Sequence, residues 1–78
     1  MSEFLNLTTN TLHAPLANKL RALRISQGYK ISEVAQACKI YAADLLNYEQ
    51  DRKTPKMRHL KRLANYYDVP LKEFFRYD

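Results

Sequence analysis

Residues 30–55 read KISEVAQACKIYAADLLNYEQDRKTP, two short amphipathic segments that meet at a break and run on into a basic loop. Val34, Ala35 and Cys38 recur at helical spacing, Ile40 falls in the break, and Leu45 and Tyr48 resume the pattern three residues apart. Two short helices packed at a steep angle across a tight turn bury these residues and leave one face of the second helix outward. With Leu45 and Tyr48 inward, the outward positions are Ala42, Ala43, Leu46, Asn47 and Gln50.

The flanks are helical too. Leu16, Leu20 and Leu23 form an apolar stripe for a first helix that opens just after Pro15 and closes at Gly28, the only glycine and a residue suited to a left-handed cap. The second helix runs from about Ile31 to Cys38 and the third from about Ala42 to Gln50. A fourth begins just after Pro55 with Met57, Leu60, Leu63, Ala64 and Tyr67 on one side. A short fifth follows Pro70, with Leu71 and Phe74 inward and Phe75 a further candidate. The expected fold is therefore all-α, a compact five-helix domain over residues 16–78 preceded by an N-terminal arm of residues 1–15.

That arm differs from the rest of the chain. MSEFLNLTTNTLHA has no Lys or Arg and alternates apolar residues at Leu5 and Leu7, so it is expected to be a frayed tail or a segment packed on its own domain or a second subunit. A minor-groove arm would carry cations.

At 78 residues the chain has room for one small core. Its net charge of +5 favours an anionic partner. The charge is also clustered: Arg52, Lys53, Lys56, Arg58, Lys61 and Arg62 crowd one short stretch without an acid, whereas a generic solvated face mixes signs. The lone Cys38 excludes an internal disulfide and has no neighbouring ligand for a metal, so it reads as a small core side chain, and no cofactor is expected. Neither a membrane-spanning run nor a signal peptide is recognisable, which implies a cytoplasmic, nucleoid-associated protein. The two histidines and scattered acids assemble no nucleophile–base pair, so an enzyme is not expected.

The stretch from Leu16 to Phe75 resembles the lambda-repressor-like (Xre-type) helix-turn-helix family without a gap in register. Glu33-Val34-Ala35 stands where that family has Glu-Leu-Ala, Ile40 where it has Val, and Leu45 where it has Ile. Glu49, the loop residue Pro55, and the later apolar positions Leu60, Leu63, Ala64, Val69, Leu71 and Phe74 also match. The resemblance implies double-stranded DNA as partner, with Ala42, Ala43, Leu46 and Asn47 facing base edges in the major groove. Asn47 can pair with adenine, and the alanine methyls suit a thymine methyl. Phosphate contacts would fall to Tyr41, Gln50, Arg52, Lys53, Lys56 and Arg58, and a structural ion pair to Arg24 and Glu49.

Departures from the family bear on details. Two alanines open the reading helix where polar residues are frequent, and Tyr41 replaces a Ser or Thr cap. Asp44 would face the groove unless it caps the helix or accepts from cytosine N4. Lys39 occupies a turn position often held by glycine, where a left-handed backbone costs on the order of 1 kcal/mol. Lys30 and Ile31 replace the second helix's usual cap and a phosphate-contacting Gln, so Ser32 is expected to cap instead and delay the start by two residues.

The C-terminal third holds more aromatics than so small a core needs. Tyr67 and Phe74 read as core, while Tyr66, Phe75 and Tyr77 are candidates for the interface of a two-fold homodimer. The chain resembles small stand-alone repressors and restriction-modification controllers in this, so the leading expectation is a transcriptional regulator that binds a palindromic operator as a homodimer. The alternatives are the antitoxin of a toxin–antitoxin pair, with its own protein partner, and a helical interaction adaptor that has lost DNA binding.

Overall fold

The computed structural model describes residues 15–75. Helices α1 (Pro15–Ser26), α2 (Ile31–Cys38), α3 (Ala42–Glu49) and α4 (Met57–Tyr67) are followed by a 3-10 helix, Leu71–Phe75. The described residues contain no strand, and none of their helices is long and apolar enough to cross a membrane. Pro15 belongs to α1 rather than the arm, and the fifth helix is a 3-10 segment. The remainder of the arm, with Leu5 and Leu7, and Tyr77 lie outside the described residues.

All four α-helices stop in the same way. In each, a left-handed residue just past the helix lets two successive N–H groups turn back to the last carbonyls. Gly28 (φ 78°) donates to Ile25 O at 3.0 Å and Tyr29 to Arg24 O at 3.1 Å. Lys39 (φ 56°) and Ile40 do the same to Gln36 O and Ala35 O, Asp51 (φ 59°) and Arg52 to Tyr48 O and Asn47 O, and Asp68 (φ 60°) and Val69 to Asn65 O and Ala64 O. Only the first uses glycine; the other three hold a side chain in a backbone region that L-residues disfavour. At two of these three turns the next residue, Ile40 or Val69, is drawn into or against the core, which offsets the cost.

The start of α2 corrects the Ser32 expectation. Lys30 is the cap residue, and its N–H donates to the Glu33 carboxylate at 2.8 Å, half of a capping box. A lysine side chain has no acceptor to complete the other half.

The elements close a ring: α1 packs on α3, α3 on α2, α2 on α4, α4 on the 3-10 helix, and the 3-10 helix back on α1. Inside lie Leu20, Val34, Ala35, Cys38, Ile40, Leu45, Tyr48, Leu60, Leu63, Ala64, Tyr67 and Phe74. Met57 departs from the expected stripe: it is the first residue of α4, before the first full turn that packs on the core, and is 49% exposed. Phe75 is exposed as well.

Tyr67 and Tyr48 are both buried and chemically opposite. The Tyr67 hydroxyl has no hydrogen-bond partner among the described groups, and burial pushes its pKa up. The Tyr48 hydroxyl lies 2.7 Å from Nδ1 of His59 on α4.

Candidate nucleic-acid interface

The placement of α3 begins with its buried side. Leu45 and Tyr48 are fully enclosed, and the Glu49 side chain is 1% exposed although it carries a charge. Arg24 of α1 neutralises it: Nε lies 3.1 and 2.9 Å from Oε1 and Oε2, and Nη2 lies 3.0 Å from Oε1. The same guanidinium donates through Nη1 to the Tyr29 carbonyl at 3.0 Å, just past the glycine turn. A planar fork with this many acceptors has one orientation, so α3 cannot rotate about its axis without breaking several charged hydrogen bonds. The hydrogen bond to the carboxylate raises the Arg24 pKa above its ordinary value.

His59 adds a second brace, from α4. Burial is the largest cause that lowers its pKa below the ordinary 6.5, followed by Arg58, Arg62 and Lys56, with Asp44 opposing them. Near neutral pH the ring is uncharged and can accept at Nδ1 from the Tyr48 hydroxyl. Sequence reasoning missed this pair. Its signal is the i, i+4, i+8 column of His59, Leu63 and Tyr67, all buried on α4.

The outward side of α3 carries the columns Ala42, Leu46, Gln50 and Ala43, Asn47. Ala42, Ala43, Leu46 and Gln50 are exposed; Asn47 is only half-exposed and sits at the edge of the face. Gln50 lies one residue past the helix as its C-terminal cap. Tyr41 precedes the helix, is 83% exposed, and supplies no side-chain cap, so the first N–H groups of α3 lack a side-chain acceptor there.

Arg52, Lys53, Lys56 and Arg58 are all exposed in the loop after α3 and at the start of α4. The left-handed turn at Asp51 folds this loop back along α3, which brings Lys53 Nζ to 2.8 Å from Asp44 Oδ1. Asp44 therefore neither caps the helix nor stands alone. The hydrogen bond from Lys53 is the main cause that holds its carboxyl below its ordinary pKa, and Lys53 is raised in turn. The pair is nine residues apart in sequence, and only the Asp51 turn makes it.

Behind the turn, Arg62 of α4 donates to the Lys39 carbonyl at 3.3 Å, and the Cys38 thiol approaches the Arg62 carbonyl at 3.7 Å. Arg62 thus braces the connection between α2 and α3. Among the interface candidates at the other end, Tyr66 is half-buried and its ring lies 5.0 Å from that of Tyr29, while Phe75 is 45% exposed.

A helix braced from behind while its front stays free is the device by which helix-turn-helix DNA-binding domains present a reading surface. The sequence agrees with the geometry, since the helix-turn-helix domain family matches residues 15–74, and the chain belongs to that family. No curated protein and no solved structure matches the chain.

Proposed function

We propose that this chain is a cytoplasmic, sequence-specific transcriptional regulator that binds double-stranded DNA through α3 as a homodimer on a palindromic operator, without catalysis. The observation that carries the reading is the free outward face of α3 bordered by Arg52, Lys53, Lys56 and Arg58, all exposed. Major-groove insertion of α3 would bring those cations to the phosphates on either side of the groove. A single α3 has eight residues and covers only a few base pairs, too few to single out one site in a genome. Two-fold pairing doubles the footprint and sets half-sites about 34–36 Å apart. Phe75 supports the C-terminal end as the dimer contact because it remains exposed while Phe74 fills the core.

The adaptor reading draws on the exposure of Tyr41 and Leu46, apolar groups that a protein partner could also cover. Selection of bound duplexes from a random pool at defined salt separates the two. A palindromic motif supports the regulator, and no enrichment favours the adaptor. On the enriched duplex, Arg52→Ala/Lys53→Ala should reduce the slope of log affinity against log salt by about 0.9 for each phosphate left without its cation. An unchanged slope would remove these two residues from the interface.

A further inference from the structure

We infer that the operator half-site is read chiefly through thymine 5-methyl groups, with Leu46 as the principal specificity-determining residue. This rests on the DNA-binding reading above and names the bases that α3 prefers.

The chemistry of the exposed face decides it. The helix is AADLLNYE, and its outward members Ala42, Ala43 and Leu46 present only apolar side chains that end in methyl groups. Leu46 stands in the middle of the column Ala42, Leu46, Gln50 and is 41% exposed, so its isobutyl group projects beyond the two alanines that precede it. In the major groove the one apolar feature of any base pair is the thymine methyl. Guanine offers two acceptors there, and the paired contact that reads both comes from Arg or Lys. The helix holds neither, and its outward donors are the amides of Asn47 and of the cap residue Gln50, whose donor-plus-acceptor pattern matches adenine.

Asp44 makes the G·C pair less favourable still. Its carboxylate repels the guanine edge, and Lys53 at 2.8 Å from Oδ1 offsets part of the charge that would draw a cytosine N4 amino group. Asn47 adds the amide that pairs with adenine. Methyls and an amide on one face, with an acid already paired beside them, together select T·A pairs.

The test acts on the DNA before it touches the protein. After selection from a random pool with the full chain, each thymine of the enriched duplex is replaced by deoxyuridine, which deletes the methyl and keeps every Watson–Crick hydrogen bond. The expected result is A·T pairs at the centre of each half-site and about a four-fold drop in affinity for each contacted methyl, the value of one buried carbon. Leu46→Ala, compared with wild type below the melting transition of both proteins, should abolish the drop at one thymine and retain it at others. Uracil and thymine duplexes bound within about two-fold of each other, G·C-centred half-sites, or full uracil sensitivity in Leu46→Ala would each overturn the inference while DNA binding stands. No enrichment of any duplex would instead defeat the DNA-binding reading on which it depends.

Discussion

The two faces of α3 follow opposite rules. Inward, the helix is held by an enclosed leucine, a tyrosine bonded to a histidine on another helix, and a carboxylate forked by an arginine on a third. Outward, the side chains are mostly short or apolar, and the main polar contact is the salt bridge between Asp44 and Lys53. The buried face uses its hydrogen bonds to fix one rotation and position. The outward face is then a surface of set geometry whose chemistry can change without cost to the fold. Substitutions should therefore separate cleanly, with large stability effects behind α3 and nearly none in front.

The largest effect is expected at the ion pair. Arg24→Met leaves Glu49 buried and unpaired, and should destabilise the domain by roughly 3–5 kcal/mol in urea unfolding, close to the whole stability of a domain this size. Arg24→Met combined with Glu49→Leu should recover much of that stability, because the carboxylate that needed a partner is gone. An Arg24→Met cost under about 1 kcal/mol, the range of exposed pairs, would mean that solvent reaches Glu49 and that α3 is not braced from α1.

A smaller effect is expected at Tyr48 and His59. Tyr48→Phe removes the donor to a buried ring nitrogen and should cost about 1–2 kcal/mol. The pair also makes stability depend on pH. His59 is held below its ordinary 6.5 in the folded chain, so the unfolded chain binds the proton more readily. The stabilisation is complete above pH 6.5 and declines as pH falls from there through the lower folded value. Stability curves of wild type and His59→Asn should therefore converge as pH is lowered below 6.5. Parallel curves would show that the imidazole titrates alike in both states.

How much of this could be read in the sequence follows from the range of each interaction. The order of the helices, the end of α2 and most of the core are local, periodic features, and Val34, Cys38, Leu45 and Tyr48 announce them within one or two turns. The Arg24–Glu49 contact joins residues 25 apart and was readable only through resemblance to a family. Asp44–Lys53 was not readable, because it needs Asp51 in a left-handed turn, a conformation that its side chain permits without requiring. His59 was overlooked because a polar residue in a basic run reads as surface until its column with Leu63 and Tyr67 is counted.

The smallest expected effect concerns the turn that sets which face of α3 is presented. Lys39 has φ 56° and ψ 48°, a conformation in which its Cβ crowds the following carbonyl and which costs roughly 1–2 kcal/mol for an L-residue. Both hydrogen bonds of the turn, Lys39 N–H to Gln36 O and Ile40 N–H to Ala35 O, are made by the backbone. So is the acceptor that Arg62 uses, the Lys39 carbonyl. Glycine keeps all three and removes the crowding, while its freer unfolded chain gives back part of the gain. Lys39→Gly should thus stabilise the domain by about 0.5–1 kcal/mol, read as a higher urea midpoint at unchanged slope. Because the angle between α2 and α3 is retained, the outward face stays as it is, and under the proposed function the duplexes selected from a random pool should match those of the wild type. A lower midpoint would show that the Lys39 side chain contributes more by packing than its backbone costs.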